Sequence, residues 1–132
     1  MALTNIPEVK LAIVGVSRDC FPAELTRARL QALVGACMAI NVAVTPCATV
    51  IENEKDALQA LAEAEAAGAN AAVIFLGNFG PEGPLAIFAQ RFNGPVMAIA
   101  AAEERKDTLI GGRGDAYCGM LNASYNLSLI HI

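Results

Sequence analysis

Short apolar runs and amphipathic segments alternate along the chain, and this alternation predicts strands and helices in turn. The run Lys10–Val16 is apolar after its first residue and rich in β-branched side chains, which is typical of a strand buried on both faces of a parallel sheet. Further apolar runs predict strands at Val42–Val44, Ala71–Leu76 and Pro95–Ala102. We expect all of these runs to pair in one sheet.

Amphipathic segments between the strands predict helices. Pro22 suits the first turn of the first helix, whose apolar face is expected to consist of Leu30, Leu33, Val34 and Cys37. Asn53 and Asp56 resemble a capping pair that begins a second helix. Gly68 is placed to end that helix in the left-handed conformation. The apolar stripe of the second helix is predicted to be Ala57, Leu58, Leu61 and Ala64.

A third helix is expected over Pro84–Phe92, and a fourth near Asp115 that runs through Met120 and Leu121. Strands that alternate with helices at this spacing imply right-handed crossovers. We therefore expect the α/β class: a flavodoxin-like, doubly wound parallel sheet of about four strands with flanking helices. The predicted organisation is an α/β domain over 1–110, then a flexible connection and helix over 111–132 leading toward a second domain that this chain lacks.

Ligands of doubly wound sheets bind beyond the carboxyl ends of the strands, so chemistry is expected in the segments that follow them. These segments are Ser17–Phe21, Thr45–Thr49, Gly77–Glu82 and Ala102–Glu104. In the first segment, backbone N–H groups and the guanidinium of Arg18 could converge on a polyhydroxylated or anionic ligand. The alternative is a surface ion pair between Arg18 and Asp19. Cys20 beside Arg18 could act as a nucleophile, and its alternative is a thiol that only packs.

The segment after the third strand is rich in turn residues. It is interpreted as a loop that presents Asn78 and Phe79, an amide and a ring, to a sugar-like ligand; the alternative is an ordinary turn. A phosphate loop is not indicated, because Pro81 lacks an N–H and no Gly-Lys-Ser/Thr follows.

Composition excludes several classes of partner. The chain has 132 residues, 55% of them hydrophobic, and a net charge of −4 without a Lys/Arg cluster. We therefore expect neither nucleic acid nor a membrane as a partner. No basic leader precedes Pro7, which favours a cytoplasmic protein. The 4 cysteines lack CxxC spacing and the acidic residues are dispersed, so no metal site is predicted.

Four stretches carry a resemblance to a known family. Gly15–Pro22, Val50–Ala57, Gly77–Glu82 and Gly112–Leu127 resemble the N-terminal domain of L-fucose isomerase-like proteins, in the L-fucose/L-arabinose isomerase superfamily. The resemblance extends over nearly the whole chain to Leu127. The helix expected from Asp115 stops at Ser128–Ile132 without a cap and without the next domain, so we expect a truncated chain and assign His131 no function; the alternative is a native apolar tail.

The resemblance implies a multidomain aldose–ketose isomerase of carbohydrate metabolism, which moves hydrogen between C1 and C2 of a sugar through an enediol with Mn²⁺. Its metal ligands and acid/base carboxylates lie in later domains. Its N-terminal domain helps to form the substrate pocket of a neighbouring subunit in a homo-oligomer, with a hexamer implied. An arginine after the first strand and an aromatic residue after the third contribute there, and they match Arg18 and Phe79. The family's enzymes have a tryptophan-containing loop where this chain has Phe79, which leaves the sugar open.

Two functions therefore follow from the sequence. The first is a substrate-pocket and oligomerisation domain of a sugar isomerase-like protein that is not catalytic alone and binds no cofactor itself. The alternative is a stand-alone module that binds a small sugar-like metabolite through Arg18, Asn78 and Phe79 without catalysis.

Overall fold

A computed structural model describes residues 5–104 and 112–130. Strands and helices alternate along the chain as the hydrophobic pattern predicts. Their bounds are β1 Leu11–Val16, α1 Ala23–Ala39, β2 Val44–Pro46, α2 Glu54–Ala66, β3 Ala71–Leu76, α3 Glu82–Arg91, β4 Val96–Ala100 and α4 Ala116–Ile130. All neighbouring strands are parallel, in the order β2-β1-β3-β4. The predicted flavodoxin-like, doubly wound α/β arrangement is confirmed.

The two central strands form the middle of the core. Strand β1 pairs with β3 from Leu11 opposite Ala71 to Val16 opposite Leu76, and most of their side chains are buried. Both strands are apolar on both faces because helices cover each side of the sheet. The edge strand β2 and the other edge strand β4 are more exposed.

Helices lie on both faces of the sheet. On one face, α2 contacts α3 and α3 contacts α4, and Phe88 of α3 packs with Val14, Ile74 and Leu76. On the other face α1 packs through Leu30 against a smaller cluster that consists of Ile13, Val73 and Phe75. Of the predicted α1 face, Leu30 is buried, whereas Leu33, Val34 and Cys37 are partly buried. Burial on both faces is what makes the arrangement doubly wound.

The second strand differs from its prediction. The apolar run predicts Val42–Val44, but β2 spans Val44–Pro46. Helix α1 continues to Ala39, and the chain then turns through Asn41, whose φ is 57°. Pairing with β1 therefore begins only at Val44. Pro46 is tolerated there because an edge strand does not need every N–H.

The predicted stripe of α2 is partly wrong. Ala57 and Ala64 are buried, but Leu58 is 44% exposed and Ala60 lies in the core instead. The buried positions of this helix are occupied by small alanines, whereas its leucine at position 58 lies outside. The caps of α2 are as predicted: Asn53 Oδ1 accepts the N–H groups of Lys55 and Asp56, and Gly68 has a φ of 67°.

Helix α4 packs on the body of the sheet through small residues. Ala116, Gly119 and Ala123 are buried, and the helix contacts α3 and β4. Its outer face carries large apolar side chains that are at least half exposed, namely Tyr117, Leu121, Tyr125 and Leu129. The predicted boundary near residue 110 stays a prediction, and His131 lies outside the described residues.

Candidate functional site

The carboxyl ends of β1 and β3 lie side by side at the point where the chain reverses its direction across the sheet. From β1 the chain crosses to β2 at one edge, and from β3 it crosses to β4 at the other. The connections therefore diverge and leave a crevice, the position where doubly wound folds bind ligands. A cleft of about 520 Å³ opens there, lined by Arg18, Asp19, Cys20, Glu52, Asn53 and Pro81.

Arg18 and Phe79 meet beside this cleft. The guanidinium carbon of Arg18 lies 4.6 Å from the centre of the Phe79 ring, within the range of a cation–π contact. The ring of Phe21 stacks nearly parallel to that of Phe79, with 6.0 Å between the ring centres. Arg18 forms an ion pair with Glu82, at the start of α3. The alternative interpretation of Arg18 had Asp19 as its partner. The site thus combines a half-buried cation with an aromatic face.

Asn78 lies behind these side chains and is fully buried. Its Oδ1 accepts the backbone N–H of Arg18 at 3.0 Å and that of Gly80 at 3.2 Å. Its Nδ2 donates to Ser17 Oγ at 2.8 Å. The amide therefore joins the loop after β1 to the loop after β3, and it holds the backbone that carries Arg18 and Phe79.

A close backbone contact brings α1 up to the same loop. A Cβ on Gly77 would lie 2.5 Å from Thr26 Cα, so only glycine allows the loop after β3 to pass this close to α1. Thr26 itself is buried, and its hydroxyl donates to the carbonyl of Val16 at the end of β1. The position of the loop is thereby set by α1 as well as by the strands.

A second polar cluster, centred on Arg29 of α1, lies on the far side of the loop. The Arg29 side chain is only 6% exposed. Nη1 donates to the carbonyl of Gly77 at 2.6 Å, Nε donates to Glu104 at 2.7 Å, and Nη2 donates to Glu103 at 2.9 Å. Sequence reasoning missed Arg29, although a charged residue one turn before Leu33, on the predicted apolar face of α1, was a signal.

Glu103 extends this cluster to the beginning of α4. Its Oε1 accepts the backbone N–H groups of Gly114 at 2.8 Å and Asp115 at 2.9 Å. Burial acts to raise the pKa of Glu103, but the N–H of Gly114, the Arg29 guanidinium and the N–H of Asp115 together lower the pKa below its usual value. The carboxylate therefore connects α1, the segment after β4 and the start of α4.

The stability of the chain is expected to fall in acid because of Glu103. A carboxyl group with a lowered folded pKa contributes stability above its unfolded value, 4.5, and loses it as pH falls through the folded value. Urea unfolding at pH 6.5 and 3.5 measures the loss. Glu103→Gln should reduce the difference between the two pH values, whereas the exposed control Glu65→Gln should not. An unchanged pH dependence in Glu103→Gln would contradict the assignment.

The β2–α2 loop is held by a further carboxylate. Glu63 of α2 accepts the N–H groups of Ala48 and Thr49 and the Thr49 hydroxyl. Burial acts to raise the pKa of Glu63, but these hydrogen bonds lower it overall. Beneath the loop, burial and the charge of Glu63 raise the pKa of the Cys47 thiol to about 11. Cys47 is thus a packed thiol, whereas Cys20 is exposed at the cleft.

Comparison with protein families identifies the chain. Residues 12–132 match the model of the fucose/sulfoquinovose isomerase N-terminal domain. The chain belongs to this family. No curated protein and no solved structure matches the chain significantly.

In this isomerase N-terminal domain, the three residues predicted to bind a ligand differ in their contacts. Arg18 and Phe79 are in contact beside the cleft, whereas both polar ends of the Asn78 side chain are engaged by protein groups. Their roles in ligand binding stay predictions. Glu82 and Asn122 were missed: Asn122 Nδ2 of α4 donates to Glu82 Oε1 at 3.0 Å, a contact between residues 40 positions apart in the chain.

Within 5–104 and 112–130, no three His, Cys, Asp or Glu side chains are grouped so that they could hold a metal ion. The described residues therefore offer no set of ligands for Mn²⁺, and the expectation that its ligands lie in later domains stays a prediction. In the same part of the chain, no helix is both long and apolar enough to cross a membrane.

Proposed function

We propose that this chain supplies one wall of the sugar-binding pocket of an aldose–ketose isomerase and is not catalytic alone. The observation that carries the proposal is the contact between Arg18 and Phe79 at the cleft where β1 and β3 end. A guanidinium has several N–H donors for sugar hydroxyls. An aromatic ring offers an apolar face to the C–H side of a sugar. A few polar groups beside an apolar surface are typical of small-molecule sites.

In this proposal each residue around the cleft has a distinct role. Arg18 donates hydrogen bonds to hydroxyl groups, and Phe79 packs on the ring of the sugar. Asn78 is a positioning residue, because it holds the backbone N–H of Arg18 and the loop that carries Phe79. Phe21 supports the Phe79 ring by stacking on it. The site is thus arranged before a ligand binds, which reduces the entropy cost of binding.

The chemical step is placed outside this chain. We assign the acid/base carboxylates and the Mn²⁺ ligands of the isomerase to its other domains, as the family resemblance implies; the described residues contain no group of three His, Cys, Asp or Glu side chains that could hold the metal. Mn²⁺ would supply Lewis-acid polarisation of the sugar oxygens when bound there. Residues of the N-terminal domain bind and orient the sugar for that step.

We further propose that the pocket is completed by a neighbouring subunit of a homo-oligomer. The apolar residues exposed on α4, Tyr117, Leu121, Tyr125 and Leu129, support association in general, because contiguous exposed apolar surface is typical of interfaces. Helix α4 also contacts the site directly through Asn122 and Glu82. Association through α4 would therefore affect the position of Glu82 beside the cleft.

Arg18→Ala is expected to weaken sugar binding by at least about tenfold, because a hydrogen bond from a charged donor contributes about 1.5–3 kcal/mol. The measurement is an NMR titration of the chain with L-fucose. Phe79→Leu should also weaken binding, through loss of the aromatic face. Arg27→Ala is the matched control, because Arg27 is a half-exposed arginine of α1 that pairs with Glu24. Equal affinities of Arg18→Ala and the unmodified chain would refute the proposed site.

A second measurement separates the two candidate functions. Aldose and Mn²⁺ added to this chain are expected to give no ketose, and turnover would refute the assignment of catalysis to other domains. Saturable sugar binding by the monomer, unaffected by association, would instead favour the stand-alone binding module.

A further inference from the structure

The guanidinium of Arg18 is already paired with a carboxylate. Glu82, the first residue of α3, forms an ion pair with Arg18 Nη2 through its Oε2. Its other oxygen, Oε1, accepts a hydrogen bond from Asn122 Nδ2 of α4 at 3.0 Å. The side chains of Arg18 and Glu82 are 31% and 30% exposed. Glu82 is therefore held on both oxygens and is partly shielded from water.

Other charges beside the cleft have the same sign as Glu82. Asp19 and Glu52 both line the cleft with Arg18, and both are exposed. The cleft lining thus contains two carboxylates, and the one guanidinium in it is paired with a third, Glu82. The local field favours an uncharged ligand over an anion.

The helix ends at the cleft do not offset this field. The amino terminus of a helix attracts anions through its free N–H groups. At α2, Asn53 Oδ1 accepts the N–H groups of Lys55 and Asp56, and Asp56 Oδ2 accepts that of Glu52. The first turns of α1 and α3 each carry an acidic residue, Glu24 and Glu82, whose negative charge opposes the binding of an anion there.

The two sugars in the family's name differ in charge: fucose is neutral, and sulfoquinovose carries a sulfonate. We propose that Glu82 is a specificity-determining residue that reserves Arg18 for the hydroxyl groups of an uncharged aldose and excludes a sulfonated one. This inference rests on the proposed sugar-binding role of Arg18. Hydroxyl oxygens can accept from guanidinium N–H groups that Glu82 does not use, because arginine has five such donors.

A sulfonate, in contrast, would have to compete with Glu82 for the guanidinium. Displacement of Glu82 would leave a partly buried carboxylate without its cation and next to a second anion. Both effects disfavour the sulfonated sugar, and specificity of this kind comes from repulsion of the wrong ligand as much as from attraction of the right one.

The experiment is a titration of the chain with L-fucose and with sulfoquinovose, followed by NMR. The unmodified chain is expected to bind L-fucose at least about tenfold more tightly than sulfoquinovose. Glu82→Gln should strengthen sulfoquinovose binding by about tenfold and thereby reduce the preference for L-fucose. Adding Arg18→Ala to Glu82→Gln should abolish that gain. Glu65→Gln removes the same charge from an exposed position of α2 and is expected to leave the preference unchanged.

The outcomes separate this inference from the proposed function. Equal binding of the two sugars by the unmodified chain, or a preference for sulfoquinovose, would overturn the role of Glu82 and leave the sugar site standing. An equal gain in Glu65→Gln would overturn it too, because the effect would then be one of net charge. Failure of every variant to bind either sugar would overturn both proposals. The comparison within the unmodified chain remains decisive even if Glu82→Gln does not fold.

Discussion

Gly119→Ala is expected to lower the free energy of unfolding by about 2–3 kcal/mol, because the new methyl group has no space. A Cβ at this position of α4 would overlap the carbonyl group of Phe79, with the carbonyl carbon 2.6 Å away. Both partners are backbone, so the overlap is relieved only by moving the helix away from the loop after β3. The same movement would shift Phe79, and sugar binding should weaken together with stability.

A second helical glycine supplies the matched control. Gly35 lies in α1, and a Cβ built there has no neighbour within 4 Å. Gly35→Ala is therefore expected to raise the free energy of unfolding by up to about 1 kcal/mol, the difference in helix propensity between the two residues. Urea unfolding of both variants measures the effects. If the two substitutions change stability in the same direction, then α4 does not pack on the loop after β3 as described.

Arg29→Met is expected to cost about 3 kcal/mol, near the lower end of the range for breaking a buried ion pair. Methionine keeps most of the apolar stem, so the loss comes from the polar groups. The carbonyl of Gly77 and the carboxylates of Glu103 and Glu104 would lose their donor. The value lies near the lower end because Glu104 is 61% exposed and can be rehydrated.

The control for Arg29 lies on the same helix. Arg27 is half exposed and pairs with Glu24 at 3.6 Å, so Arg27→Met should change stability by less than about 0.5 kcal/mol. Urea unfolding at neutral pH compares the two variants. Similar stabilities would show that Arg29 does not connect α1 with the loop after β3 and the start of α4.

Much of the fold was predictable because the signals for it are local. The apolar run at Ala71–Leu76 coincides with β3, and the capping pair at Asn53 marks the start of α2. A strand buried on both faces must be apolar at every position, and a cap needs only a few adjacent residues. The edge strand β2 was misplaced by two positions, because its bounds depend on where β1 offers a pairing partner.

The candidate site was predictable only in its location. Topology places the ends of β1 and β3 together, so Arg18 and Phe79 were expected at the same edge of the sheet. The sequence does not distinguish the partly exposed ring of Phe79 from the buried amide of Asn78 that supports the loop. Asn78 was therefore grouped with the ligand-binding residues, although the structure surrounds it with Ser17, Arg18 and Gly80.

By itself, the sequence determined the α/β class, the order of the elements, the edge of the sheet that carries the site, and the family. The tertiary structure alone decided which polar groups meet. Arg18 with Glu82 and Arg29 with Glu103 are pairs 64 and 74 positions apart in the chain. Hydrophobic periodicity reports which face of an element is buried, but a polar side chain finds its partner only after the elements pack. The charge state of the cleft, and with it the proposed choice of sugar, is therefore a property of the folded chain.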